Sequence, residues 1–347
     1  MVTEEKANID WANVGFGYHK TDKRYVSNYK DGKWDEGVLT EDSNIVLNES
    51  AGVLQYAQTC FEGMKAYRTA DGSIQLFRPD KNMARMNVSC DRLCIPKIDE
   101  EFAIKAIKTL VEVDKDWVPS LDGTSLYIRP YIFATDAHVG VHPAKHLTFA
   151  IILSPVGAYY PQGIAPVKIF VEQKYVRAVI GGTGFTKAGA NYAISLKGQE
   201  EAAEQGYVQT LWLDGVERKY VEEVGSMNVF FKIDGEVVTP ALVGSILGGI
   251  TRMSIIELLQ SKGYKVSERR LSIDELVEAF KAGKLEEAWG TGTAAVISPI
   301  GELKYGDLVM PVNNGEIGEV THMLYDTLTG IQWGKIKDEF GWTVKID

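Results

Sequence analysis

The first half of the chain alternates short apolar runs with glycine and proline breaks, a pattern that favours strands with a few helices set between them. Ile74-Gln75-Leu76-Phe77 is long enough only for a strand. Pro79 then stands where a first helical turn tolerates proline, and Asn82-Met83-Ala84-Arg85-Met86 carries that helix on. Asp99 is placed to cap a second helix, whose apolar residues Phe102, Ile104, Ile107 and Leu110 recur near helical spacing. Residues 124–134 and 146–154 are rich in β-branched and aromatic side chains and read as strands. In the second half, helices are expected over 195–205, 251–262 and 273–282, closed by Gly206, Gly263 and Gly283, with another near 317–331. No regular strand-helix-strand repeat emerges, so the fold class is α+β or mixed α/β.

Between the halves, Pro155-Val156-Gly157-Ala158-Tyr159-Tyr160-Pro161-Gln162-Gly163 interrupts the pattern with two prolines and two glycines. It predicts a small N-terminal domain over 1–154, a linker over 155–165 and a larger domain over 166–347. A length of 347 residues suits about two cores. The 45% hydrophobic and 24% charged fractions are those of an ordinary globular protein. A net charge of −10 argues against nucleic acid or an anionic membrane as the main partner. Met1-Val2-Thr3-Glu4-Glu5-Lys6 has neither the basic start nor the apolar stretch of a signal peptide. No apolar run approaches the ~20 residues of a membrane span. Cys60, Cys90 and Cys94 are too few for a disulfide framework, which points to a reducing, cytoplasmic location. Cys90 and Cys94 are expected on one face of a helix, in a packing role. The five histidines look scattered, so no metal site is expected.

The chemistry concentrates around Lys187, in Gly181-Gly182-Thr183-Gly184-Phe185-Thr186-Lys187-Ala188-Gly189-Ala190-Asn191-Tyr192. The segment is not a phosphate loop, because Thr186 precedes and Ala188 follows the lysine. Nor is it a dinucleotide fingerprint, because Lys187 stands where the third glycine belongs. A lysine that forms a Schiff base needs an ordered stem and room for a planar partner, and flanking glycines leave that room. Glu222 and Glu223 are neighbours on a probable strand, so one can point inward, where a pyridinium N–H would be a suitable partner. Arg78 lies at a strand-to-helix handover and suits phosphate. Gly248-Gly249-Ile250-Thr251 opens a helix, and Gly290-Thr291-Gly292-Thr293-Ala294 is a second turn able to present amides to an anion. Tyr127, Arg129 and Tyr131 share one strand face, fit either for a substrate carboxylate or for a domain interface.

Taken in order, these segments resemble the pyridoxal-phosphate enzymes of fold type IV, the class IV aminotransferases, and within them the branched-chain amino acid aminotransferases. The resemblance covers nearly the whole chain. It runs through Leu54-Gln55-Tyr56, Phe61-Glu62-Gly63-Met64-Lys65-Ala66-Tyr67, Leu76-Phe77-Arg78-Pro79, Ser125-Leu126-Tyr127-Ile128-Arg129-Pro130, Gly189-Ala190-Asn191-Tyr192, Glu223-Val224-Gly225-Ser226-Met227-Asn228 and Gly292-Thr293-Ala294. It implies an α+β fold of two domains, a smaller N-terminal α/β domain and a larger C-terminal mixed domain, with the active site between them. It implies pyridoxal 5'-phosphate held on catalytic Lys187, Glu223 at the ring nitrogen, Tyr192 at the ring hydroxyl, and Arg78 with the amides of Ile250, Thr251 and Thr293 at the phosphate. For the substrate it implies an apolar pocket from Tyr56, Phe61, Tyr127, Tyr159 and Ala294, with Val141 reaching in from the partner subunit of a homodimer. The amides of Thr293 and Ala294 would take the α-carboxylate, and Arg129 the side-chain carboxylate of glutamate. The activity implied is ping-pong transfer of an amino group between L-leucine, L-isoleucine or L-valine and 2-oxoglutarate. A D-amino acid transaminase and an aminodeoxychorismate lyase of the same fold are the alternatives, and a nucleotide-binding protein is the weakest rival. Some relatives carry a Cys-x-x-Cys pair where this chain has Ala295 and Ser298. Phe16 and Tyr18 are both candidates for the N-terminal pocket aromatic.

Overall fold

The computed structural model describes residues 9–11, 13–157 and 164–346. Its first sheet is built from Arg24–Lys30 (β1), Lys33–Trp34 (β2), Val38–Thr40 (β3), Thr59–Phe61 (β4), Met64–Arg68 (β5), Ile74–Phe77 (β6), Ser125–Ala134 (β7) and Leu147–Val156 (β8). The strand Thr343–Ile346 joins by pairing antiparallel with β6. β7 pairs with β8 along its whole length. On its other side β7 meets two strands in turn, β5 and then β4. The break between them falls at Glu62-Gly63, where the Glu62 N–H donates to the Pro130 carbonyl at 2.7 Å. Proline has no N–H for a ladder, so Pro130 is tolerated mid-strand because its partner is interrupted there.

Three helices accompany this sheet: Gly52–Tyr56 (α1), Pro79–Arg92 (α2) and Glu100–Val113 (α3). Pro79 occupies the first turn of α2, and the Asp99 side chain accepts the Phe102 N–H at 2.7 Å to cap α3. The buried stripe of α3 is Ala103, Ala106, Ile107, Leu110 and Val111, while Phe102 and Ile104 are only half-buried. Reading the face from large apolar residues alone overlooked the two alanines. Met83, Met86 and Cys90 of α2 and the α3 stripe cluster with Leu126, Ile128, Ile132, Phe149 and Ile151 of β7 and β8. Each large side chain buried here contributes roughly 1.5–3 kcal/mol. Cys90 and Cys94 do not share a helix face. Cys94 lies beyond the end of α2 in a left-handed conformation and is exposed, while Cys90 Sγ sits 3.7 Å from Cys60 Sγ in the core.

The second sheet comprises Val167–Val171 (β9), Gln209–Leu213 (β10), Val221–Val224 (β11), Met227–Ile233 (β12), Glu236–Pro240 (β13), Val266–Arg269 (β14), Leu285–Gly292 (β15), Val296–Tyr305 (β16) and Leu308–Pro311 (β17). Its strand order is β11-β10-β9-β16-β15-β12-β13-β14, and β11 also pairs with β12, which closes six strands into a ring. β9 runs parallel to β10 and β16, whereas most other pairs are antiparallel, as a mixed sheet requires. All four residues of β11 are buried, so both of its faces are covered. Ala190–Ala193 (α4), Leu196–Glu204 (α5), Ile250–Ser261 (α6), Ile273–Lys281 (α7) and Glu319–Gln332 (α8) complete the described helices. Each of the longer four lies within two residues of the segment its glycine stop or apolar period predicts.

The chain divides into two compact units. The first takes Met1–Pro161, Thr186–Gly189 and Gly330–Asp347, the second Gln162–Phe185 and Ala190–Thr329. The division is therefore not a single cut: the segment bearing Lys187 and the C-terminal strand both group with the first sheet. Among the described residues no helix is long and apolar enough to cross a membrane.

Candidate active site

Lys187 is pinned through its backbone. Its N–H donates to Ser89 Oγ at 2.9 Å, its carbonyl accepts the Phe61 N–H at 3.2 Å, and Gly189 donates to the Thr59 carbonyl at 3.3 Å. The glycine-flanked segment thus lies along β4 as a short extra strand, bridged at Cys60 and Ala188. Its amine stands 4.6 Å from the centre of the Phe61 ring. The stem is ordered from below by a strand and the helix α2, which is what a lysine holding a covalent partner requires.

Beside it Glu62 is fully buried. Arg85 grips both of its oxygens at 2.8 Å, and Asn82 donates to Oε2 at 2.8 Å. Burial pushes the Glu62 carboxyl up, but the Arg85 guanidinium, helped by Lys187 and Asn82, more than offsets this and holds it below the usual carboxylate range. Neither Glu62 nor Arg85 was singled out from the sequence. Their separation along the chain gives no local signal.

Arg78 is buried and has φ +48°, a left-handed conformation that an arginine before a proline rarely adopts. Its N–H donates to the Trp342 carbonyl at 2.7 Å, and its guanidinium lies 5.3 Å from the Trp342 ring centre. Strain of this kind, on the order of 1–3 kcal/mol, persists where the surroundings impose it.

The face of β7 brings Tyr127 and Arg129 together with Phe61. Arg129 lies 4.5 Å from the Phe61 ring centre and 5.2 Å from that of Tyr127, and its Nη2 donates to the Tyr127 hydroxyl at 3.0 Å. A Cβ on Gly63 would fall 2.0 Å from that hydroxyl, so any larger residue would displace the Tyr127 side chain. Phe16 packs edge-on against Tyr127 at 5.2 Å, whereas Tyr18 is 58% exposed. Lys65, paired with Tyr127 across β5 and β7, is also buried, and desolvation lowers its amine to about 7. Sequence reading passed over it.

In the second unit Glu223 is buried in an organised setting. Arg177 Nε lies 3.1 Å from its Oε2, and the Leu247 N–H donates to its Oε1 at 2.8 Å. Arg177 also donates to the carbonyls of Gly184 and Ser245, at 3.1 and 2.9 Å. Glu222 was expected to face outward, but it is equally buried, because β11 is covered on both sides. Ser245 Oγ donates to it, yet burial dominates and raises its carboxyl. Tyr192 sits half-buried on α4, whose start is fixed by Asn191 donating to the Thr183 carbonyl at 2.8 Å. Thr293 and Ala294 occupy the turn between β15 and β16.

Helix α6 begins at Ile250 with no side-chain cap, so the amides of Ile250 and Thr251 open its N-terminus. A Cβ on Gly249 would fall 2.0 Å from Asn228 Oδ1. Asn228 in turn donates to the Leu247 carbonyl at 2.8 Å. The Thr291 hydroxyl is buried and makes no hydrogen bond among the described residues. Within the second unit, an uncapped helix start and an orphaned hydroxyl are features that fit an anionic group such as a cofactor phosphate. Arg78 and Lys187 belong to the first unit; Tyr192, Glu223, Ile250, Thr251 and Thr293 belong to the second.

The Tyr56 hydroxyl donates to the Val139 carbonyl, and Val141 is 78% exposed. Tyr159 lies outside the described residues. The histidines are not all scattered: His138 and His142 stack with ring centres 3.6 Å apart, close to Asp136.

Comparison with known proteins agrees with this architecture. Residues 59–303 match the family described as amino-transferase class IV, and the chain belongs to that family. It resembles the crystal structure of the branched-chain amino acid aminotransferase of Escherichia coli, with a TM-score of 0.79 and 27% identity over 94% of this chain and 100% of that one. The branched-chain amino acid aminotransferase of Thermobaculum terrenum, in its PLP-bound holo-form, shares the fold with a TM-score of 0.77 at 21% identity, over 94% and 99% of the two chains. Branched-chain-amino-acid aminotransferase 2 of Bacillus subtilis is 54% identical over 347 residues, covering 100% of this chain and 96% of the relative.

Proposed function

We propose that the chain is a branched-chain-amino-acid aminotransferase, moving the amino group between L-leucine, L-isoleucine or L-valine and 2-oxoglutarate in two ping-pong half-reactions, with pyridoxal 5'-phosphate as cofactor. The observation that carries the reading is Lys187, held at both its N–H and its carbonyl with its amine over Phe61. When bound, the cofactor supplies the reactive carbonyl and an electron-accepting ring. Lys187 Nζ would be the attachment point for that carbonyl, and its free amine would be the base for the proton on the substrate α-carbon. Glu223 keeps a proton on the ring nitrogen, steadied in turn by Arg177. Tyr192 would meet the ring hydroxyl, and Arg78 with the amides of Ile250, Thr251 and Thr293 would hold the phosphate.

Phe61, Tyr127, Tyr56, Tyr159 and Ala294 line the substrate side chain, and the amides of Thr293 and Ala294 take its α-carboxylate. One methylene in such an apolar pocket is worth about 1–3 kcal/mol, so the three branched substrates share it with modest preferences. Arg129, oriented by the Tyr127 hydroxyl, meets the second carboxylate of glutamate. We further propose a cytoplasmic homodimer with 155–165 as the linker between its two domains. Three free cysteines suit that compartment.

Borohydride reduction of the loaded protein, followed by peptide mapping, should place a pyridoxyl group on Lys187. Unreduced, the loaded protein should form glutamate from 2-oxoglutarate with L-leucine, L-isoleucine or L-valine, and not with the D-forms. A label on Lys65 or Lys197, or turnover of D-amino acids, would overturn the reading.

A further inference from the structure

We propose that Asp136, His138 and His142 form a binding site for a divalent transition-metal ion of the zinc class, on the loop between β7 and β8. One ligand atom from each of the three lies within 4.8 Å of the other two. A nitrogen, nitrogen, oxygen donor set of this kind suits zinc and its neighbours rather than calcium or magnesium.

The hydrogen bonds prepare the ligands. His142 Nδ1 is 2.8 Å from the Pro143 carbonyl. A carbonyl only accepts, so Nδ1 carries the hydrogen and Nε2 is left with its lone pair, the arrangement that metal-bound histidines use. Both ring nitrogens of His138 are buried and make no hydrogen bond among the described residues. An imidazole so placed loses its contacts with water and gains none, a penalty that coordination would remove. Asp136 is buried, and its two oxygens accept the N–H groups of Lys145 and His146. A carboxylate has about four acceptor positions, so each oxygen keeps one for an ion while the backbone holds the group in place.

The site has a sequence signature that is easy to overlook. His138, His142 and His146 recur at intervals of four, and they are three of the five histidines in the chain. His146 Nδ1 lies 3.4 Å from Asp136 Oδ1, within reach as a further ligand or as a partner for Asp136. An ion here would clamp the loop at both ends of Val139-Gly140-Val141. Val139 is already tied at its carbonyl by Tyr56.

The test uses the full, untagged, cofactor-loaded protein after treatment with a chelator. Titration with Co²⁺ should give visible d–d bands that saturate near one ion per chain, and Zn²⁺ should displace them. His142→Gln and His138→Gln should each weaken binding at least ~10-fold, comparable with the effect of losing a supporting contact or more. His142 is exposed, so its variant should fold normally. His322→Gln, on α8 of the second unit, serves as the control and should bind as the unaltered chain does. The proposal is overturned if no bands develop, or if the double variant at 138 and 142 binds Co²⁺ like the control.

Discussion

Lys65 is enclosed in the first sheet, in surroundings that pH reveals. Lys65 is buried and its amine is lowered to about 7 by desolvation. In the unfolded chain a lysine titrates near ~10.4. Between those values the unfolded state binds a proton that the folded state has released, so stability rises with pH across that window. Below about pH 7 both states are protonated and the burial penalty is present in full. The slope reaches at most about 1.4 kcal/mol per pH unit. Urea unfolding from pH 7 to 9.5 should therefore show the native chain gaining on Lys65→Met, which lacks the titrating group. Parallel curves would mean that Lys65 keeps its proton when folded. Lys187, Glu223 and Arg78 could be picked out as candidates residue by residue, because they stand in short local motifs. What holds them could not. Ser89 supports Lys187 from 98 positions away, and the pairs Glu62–Arg85 and Arg177–Glu223 join segments with no local relation.

At the scale of elements, the period of apolar residues located the helices well because most are amphipathic and end at glycine. It misjudged the face of α3, where Ala103 and Ala106 pack as tightly as larger neighbours. It also missed that both faces of β11 are covered, since Glu222 is met by Ser245 from a segment distant in the sequence. The start of α6 gives an element-level prediction. Gly249 is the N-cap of α6, where alanine is less favoured than glycine by about 1 kcal/mol, too little to melt a buried helix. The Cβ of Gly249→Ala, however, would fall 2.0 Å from Asn228 Oδ1 and displace the side chain that steadies Leu247. Affinity for pyridoxal phosphate, read from cofactor absorbance on titration, should drop at least ~10-fold, or about 1.4 kcal/mol. Unchanged affinity would remove the α6 amides from the proposed phosphate cradle.

For the whole molecule, the exposed tip Val139-Gly140-Val141 carries the prediction. Val139 and Val141 are 82% and 78% exposed, apolar surface that a second copy of the chain would cover. Val141→Asp should leave the cofactor bound while leucine, isoleucine and valine turnover falls at least ~10-fold, because a charge would enter an apolar site unpaired. Sedimentation of a fully active monomer would refute the shared arrangement. The α+β class was readable at this scale; the return of the chain was not. Thr343–Ile346 pairs with β6, and Trp342 accepts the Arg78 N–H, so the first unit is completed by residues that follow the second in the sequence. During synthesis the order of completion is therefore reversed. While the ribosome is still reading the second unit, β6 is an open edge and Arg78 has no Trp342 beside it. Unpaired strand edges invite association with other chains. The nascent protein thus passes through a stage in which the segment made early waits for the segment made last, and slow translation of the final stretch should prolong its exposure to chaperones.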